Sequence, residues 1–309
     1  MEATMNLHPQ HAEALRDINP DVANIIRIHE SQKPEWFPTE LIPENWKGTK
    51  LPPELAAGLT LNLLTEDGLP YFLSLLVTHL GDEGPLFEWN KLWTSEEKLH
   101  GTAIQLYLYE CLGREERIRV ERMEKQYLRV GFWPDWSRDP FKLLAYVVLQ
   151  ERATQFSHAA IARKAASVDP VLRTLMSKIA GDESRHHDAY VSMFGALLKR
   201  DPSHAVTALH SVIKYFKMPG AGVDGFQALS QIQERSGMFG AKEFRYIIVE
   251  ACDKLGIWEL TGLSGDAEKA REDIQKTIKL LERVDERNQR QAKKEIPITF
   301  LDGNISILL

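Results

Sequence analysis

The sequence predicts an all-α protein, a four-helix bundle core with additional helices, and three observations carry that reading. Apolar residues recur at a period near 3.6 through most of the 309 residues. Alternating runs of strand type are scarce. Breakers rich in proline and glycine cut the helical pattern at intervals. No shift in composition marks a boundary, so residues 1–309 read as one domain with its bundle at about 54–200.

In chain order, helical stretches are predicted near 54–80, 86–113, 115–129, 140–167, 169–199, 203–216, 226–255 and 265–293. "GDEGP" at 81–85 closes the first, and "GFWPDWSRDP" at 131–140 separates the third from the fourth. Asp-Pro pairs at 169–170 and 201–202 open the fifth and sixth, where proline suits a first helical turn. "MPGAG" at 218–222 precedes the seventh. The closing "PITFLDGNISILL" reads as extended and packed on the surface.

Composition excludes several classes of function. A hydrophobic share of 43% and a charged share of 27% are ordinary for a globular chain. Two cysteines, Cys111 and Cys252, make neither a disulfide framework nor a thiolate metal site, which suits a reducing compartment. No apolar run approaches the roughly 20 residues that span a bilayer. The N-terminus lacks the layout of a signal peptide, so a cytoplasmic protein is expected. A formal charge of −6 argues against nucleic-acid binding, which needs a basic face.

The chemistry lies in polar residues set into apolar stripes. Through the fifth helix one face runs Leu172, Leu175, Met176, Ile179, Glu183, His186, Tyr190, Met193, Leu197. Through the second it runs Leu86, Trp89, Trp93, Glu97, His100, Ile104, Tyr107, Cys111. Each stripe holds one Glu-x-x-His where core residues belong. A buried carboxylate is costly unless it is paired or coordinates a metal. A lone acid on an apolar face precedes each motif: Glu66 lies 31 residues before Glu97, and Glu151 lies 32 before Glu183. One Glu-x-x-His is common and often solvated. Two of them, each with a matched acid, give the four carboxylates and two imidazoles of a di-metal carboxylate bundle of ferritin-like type. Such a ligand set suits iron or manganese.

With these residues in view, the sequence resembles the soluble acyl-[acyl-carrier-protein] desaturases, the stearoyl-type family of plants and actinobacteria. "TEDGLP", "WTSEEKLHG", "LQERATQFSHAAIARKA", "IAGDESRHHDAY" and "LTGLSGDAEKA" carry the likeness across most of the chain. The resemblance implies two ferrous ions held by Glu66, Glu97, His100, Glu151, Glu183 and His186. It implies that Thr154 borders the oxygen-binding face, and that Trp36, Trp93 and Asp182 lie on the electron route. It further implies an acyl carrier protein as substrate carrier, a ferredoxin as electron donor, dioxygen as oxidant, and a homodimer. With no transit peptide read, a bacterial member is expected.

There are departures from the family. The segment from Glu66 to Glu97, which borders the substrate channel in the family, is shorter than in plant members. Asp67 stands where the family has a second Glu. His187 falls on another face from His186 and is set aside as a ligand, and His158 reads as a satisfied core histidine in preference to a group that backs the ligands. "GAGVDG" at 220–225 fits a dinucleotide motif but follows a helix rather than a strand, so it reads as a loop. The charged 281–295 stretch reads as a solvated face, or as a dock for an acidic carrier. Two rivals remain: an iron-storage protein of ferritin-like type, and a helical bundle that has lost its metal. The complete ligand set disfavours the second. Helices beyond residue 200 disfavour the first.

Overall fold

Residues 8–291, 296–300 and 303–307 are described by the computed structural model. Three helices absent from the sequence reading come first: α1 (Pro9–Asp17), α2 (Asn19–Gln32) and α3 (Pro38–Leu41). Each begins with proline in its first two positions, where a missing N–H loses no helical bond. The predicted 54–80 helix is two, α4 (Pro53–Glu66) and α5 (Leu69–Leu80). Pro70 has no N–H to offer the Glu66 carbonyl, so the helix ends at Glu66 and restarts.

Four helices then match the expected ones closely: α6 (Gly84–Cys111), α7 (Arg114–Val130), α8 (Pro140–Ala165) and α9 (Pro170–Arg200). Asp139 and Asp169 cap α8 and α9, each side chain accepting from a backbone N–H two residues on. After α10 (Pro202–Lys214), the predicted 226–255 helix is also two, α11 (Phe226–Arg235) and α12 (Ala241–Lys254). The break falls at "SGMFG", where Gly237 takes a φ of 65°. The long α13 (Gly265–Gln291) follows. The closing segment is extended as expected, with β1 (Ile296–Phe300) pairing antiparallel to β2 (Gly303–Ile307), Ile298 opposite Ile305.

The bundle is a ring: α4 packs on α6, α6 on α9, α9 on α8, and α8 back on α4. α4 and α8 are buried almost from end to end, which explains their weakly one-sided apolar pattern. At Gly101 a Cβ would stand 3.3 Å from the Cβ of Glu66, so glycine there lets α4 and α6 approach beside the polar cluster. Outside the ring, α2 covers α6 and α9, α10 and α12 cover α8, and α11 lies on α4. No described helix is long and apolar enough to cross a membrane.

Candidate metal centre

The six residues singled out by spacing converge. Glu66 ends α4, Glu97 and His100 come from α6, Glu151 from α8, and Glu183 and His186 from α9. They form two groups whose ligand atoms lie within 4.8 Å of one another: Glu66, Glu97, His100, Glu183 and Glu97, Glu151, Glu183, His186. Glu97 and Glu183 belong to both. Each group therefore has its own terminal acid and its own histidine, with two carboxylates shared. The two rings lie side by side, centroids 5.8 Å apart.

The donors fit a pair of cations. Inside the cluster, Nδ1 of His100 and of His186, Oε1 of Glu97 and both oxygens of Glu151 and Glu183 are buried without hydrogen bonds. His186 Nδ1 is 2.9 Å from Glu97 Oε1 and 3.4 Å from Glu151 Oε2, yet these contacts lack hydrogen-bond alignment. The atoms aim at shared points rather than at each other. Buried polar groups are otherwise nearly always paired, so such a concentration marks a place for ions. Four carboxylates also balance two divalent cations in charge.

The outer nitrogens are held crosswise. Asp182, just before Glu183, accepts from Nε2 of His100 in the other motif at 3.2 Å. Glu96, just before Glu97, accepts from Nε2 of His186 at 3.0 Å. Each bond fixes the tautomer whose bare Nδ1 faces inward. Asp182 also accepts from Trp36 Nε1 at 2.7 Å and pairs with Arg185. Trp36 stacks nearly parallel on His100, centroids 6.1 Å apart. Glu96 also bonds His29 of α2 at 3.0 Å. Trp93 is not on the Trp36 side: it packs edge-on to His186.

Electrostatics follow from this crowding. Burial and then the neighbouring Glu97 push Glu66 up to about 8, against the bond from His158. Burial, Glu183 and Glu97 hold Glu151 well above the carboxylate range. Burial opposes charge on His100, but Glu97 and Glu183 outweigh it and push the ring up to about 10.

Several residues fall outside the sequence reading. Glu96 and His29 were missed, although the doubled acid in "SEEKLH", matching "GDESRH", is a legible signal. His158 is no mere core histidine, because its Nε2 donates to Glu66 Oε1 at 3.1 Å. His187 does point elsewhere, donating from Nδ1 to the Val148 carbonyl, and burial lowers it to about 4.

Beside the cluster lies a cavity of about 430 Å³. Thr154 and Thr65 face it, each hydroxyl donating back to its own helix, to Glu151 O and Leu61 O. Leu61, Ala153, Met218, Phe226 and Phe239 make it largely apolar. It shares Gln231, Glu234, Gly240 and Ala241 with a polar hollow of about 420 Å³, which adds Arg235, Lys242 and Asn288. On the α5 side Phe72 packs its ring against Trp93, Phe132 and Tyr146, and Phe132 and Tyr146 also line a further hollow of about 830 Å³.

The fatty acid desaturase family profile matches residues 10–301. The chain belongs to that family. It is 32% identical over 259 residues to stearoyl-[acyl-carrier-protein] 9-desaturase 6 of Arabidopsis thaliana, covering 79% of this chain and 66% of that protein. It is 28% identical to an acyl-[acyl-carrier-protein] 6-desaturase of Thunbergia alata, covering 97% of this chain and 85% of that one. The X-ray structure of DesA2 from Mycobacterium tuberculosis H37Rv superposes with a TM-score of 0.58 at 20% identity. The match covers 84% of this chain and 99% of DesA2, and extends the family fold, all-α and ferritin-like, to this protein.

Proposed function

We propose that the protein is an oxygen-dependent acyl-[acyl-carrier-protein] desaturase that introduces a cis double bond into a saturated acyl chain. The observation that carries this is the pair of overlapping carboxylate–histidine groups opening beside an apolar cavity. Glu66, Glu97, His100, Glu151, Glu183 and His186 hold two ferrous ions in this reading. When bound, the ions supply the activation of dioxygen that cleavage of an unactivated C–H bond requires. The reaction balances as one O2, two electrons, two protons and two hydrogens from adjacent methylenes, giving two waters and the alkene.

The chain's own residues bind, orient and exclude water. Asp182 and Glu96 keep both imidazoles in the ligating tautomer. The apolar cavity wall holds the acyl chain at one depth, and only positioning can select one methylene pair among equal neighbours. The polar hollow suits the amide-rich arm by which a carrier protein presents that chain. Thr154 sets a hydroxyl between cavity and cluster. Trp36, Asp182 and His100 form a bonded route by which electrons from a ferredoxin reach the centre. Trp93 serves the same transfer from the His186 side. A homodimer in the cytoplasm completes the proposal, in keeping with two free cysteines. Light scattering at micromolar concentration tests the dimer.

The decisive experiment supplies iron-loaded protein with a reducing ferredoxin, dioxygen and a panel of saturated acyl carrier proteins, and reads products by mass spectrometry. A cis-unsaturated product is expected. If the protein instead mineralises ferric iron and yields no unsaturated or oxygenated acyl chain, iron storage is its function.

A further inference from the structure

Between the cavity wall and the metal cluster runs one unbroken chain of buried hydrogen bonds. Gln233 of α11, Ser157 and Asn62 all line the cavity, and Gln233 Nε2 donates to Ser157 Oγ at 2.7 Å and to Asn62 Oδ1 at 3.3 Å. Ser157 of α8 donates to Asn62 Oδ1 at 2.8 Å. Asn62 of α4 lies with its Nδ2 2.9 Å from His158 Nδ1, and His158 Nε2 lies 3.1 Å from Glu66 Oε1 and 3.6 Å from Glu183 Oε1. Asn62, Ser157 and Gln233 are at most 6% exposed, and His158 is fully enclosed. Amide and hydroxyl groups so deeply buried destabilise the fold unless bonded, and an apolar set would fill the space without that requirement.

Donor and acceptor roles along the chain are constrained. Because Asn62 Oδ1 takes hydrogens from Ser157 and Gln233, the amide nitrogen of Asn62 must face His158 and donate to its Nδ1. Nδ1 is then bare, and the ring hydrogen sits on Nε2, aimed at Glu66. His158 is thus set the opposite way to His100 and His186, whose bare nitrogens face the cluster. It is a donor to the ligand carboxylates and not a third histidine ligand.

We propose that Gln233, Ser157 and Asn62 are positioning residues that fix the His158 tautomer and through it the orientation of Glu66, so that the metal centre reads the state of the cavity wall. This rests on the di-iron reading above. A chain entering the cavity meets Gln233, Ser157 and Asn62 at the wall end of the same bonds. Glu66 is the suitable receiver, since it is the last residue of α4 and can turn without breaking a helix.

The test uses full-length protein loaded with ferrous iron and reads iron per chain and the near-infrared circular dichroism of the ferrous site. Ser157→Ala and Gln233→Leu should keep wild-type iron content and helicity but shift the ligand-field bands, and Ser157→Thr should restore them by returning the hydroxyl. Unsaturated product per oxygen consumed should fall by about tenfold in both disrupted variants. Ferrous spectra of both that superimpose on the wild type would overturn the proposal. If wild-type protein desaturates nothing while the two spectra still shift, the positioning role stands and the desaturase reading fails.

Discussion

The two Glu-x-x-His halves of the centre are alike in what holds the histidines and unlike in what backs the lone acids. In both, the acid just before the motif reaches across to the other motif's ring, Asp182 to His100 and Glu96 to His186. The pattern is therefore a doubled acid, then x-x-His, used twice and interlocked. Glu66, in contrast, is held by His158, whereas both oxygens of Glu151 lack any bond and Thr154 stands one turn along its helix. The symmetric part fits cation binding, which requires the same donors twice. The asymmetric part gives the two lone acids different freedom, Glu66 anchored by His158 and Glu151 unbonded near Thr154.

The largest expected effect comes from removing what the halves share. Glu97→Ala combined with Glu183→Ala should reduce iron from about two per chain to near none by metal analysis. Binding that survives would mean the shared carboxylates do not hold the ions. Next come the crossed acids. Asp182→Asn and Glu96→Gln should each lower iron affinity or turnover by about 10- to 100-fold. Equal losses of affinity would support the symmetry. A larger loss of turnover in Asp182→Asn, with dithionite restoring it, would assign electron entry to the Trp36 side.

Thr154→Val probes the asymmetric side. Iron content should stay unchanged while turnover drops and hydrogen peroxide release per oxygen consumed rises, measured by a coupled peroxidase assay. An unaltered ratio of product to oxygen would remove Thr154 from the reaction.

The smallest effect concerns a partly exposed histidine–carboxylate pair that serves as a contrast. His204 Nε2 lies 2.9 Å from Asp139 Oδ2 at the start of α8. The bond to Asp139 raises His204 above its usual 6.5 despite burial. His204 outweighs burial and lowers Asp139 below its usual 3.8. The histidine's contribution is complete below 6.5 and fades as pH rises through its raised value. The aspartate's is present above 3.8 and fades as pH falls through its lowered one. Asp139→Asn retains the helix cap, so it should destabilise by only about 0.5–1 kcal/mol at pH 6, and by less at pH 9. Equal melting shifts at both pH values would show that the charge contributes nothing.

How much of this was legible depends on whether the signal was local. Period and breakers located α6, α8 and α9 because each is long and bounded by proline or glycine. The breaks at Asp67–Gly68 and Ser236–Gly240 were missed because α4 and α5 are apolar enough to read through, and α11 and α12 are each too short for their stripes to show a separate start. α1 to α3 were missed because they are short and largely polar, although prolines marked their starts and Ile18, Val22, Ile25 and Ile26 form a legible stripe along α2. The six central residues were legible because an acid inside an apolar stripe contradicts its surroundings. Asn62, Ser157 and Gln233 do not contradict theirs: they are common residues on three helices, joined only by folding.

The ending of α4 at Glu66 bears on how cations would enter the cluster. His100, Glu151, Glu183 and His186 have no exposed surface, so a cation reaches the cluster only when some wall opens. Three of the four carboxylates sit mid-helix, and moving one means unwinding a turn. Glu66 is followed at once by the Asp67–Gly68 break and retains 6% exposure, so its end of the cluster opens at the least loss of helical hydrogen bonds. In the di-iron reading, loading would then be a conformational event with its own rate, set by the pivot after Glu66 rather than by the concentration of iron once that is abundant.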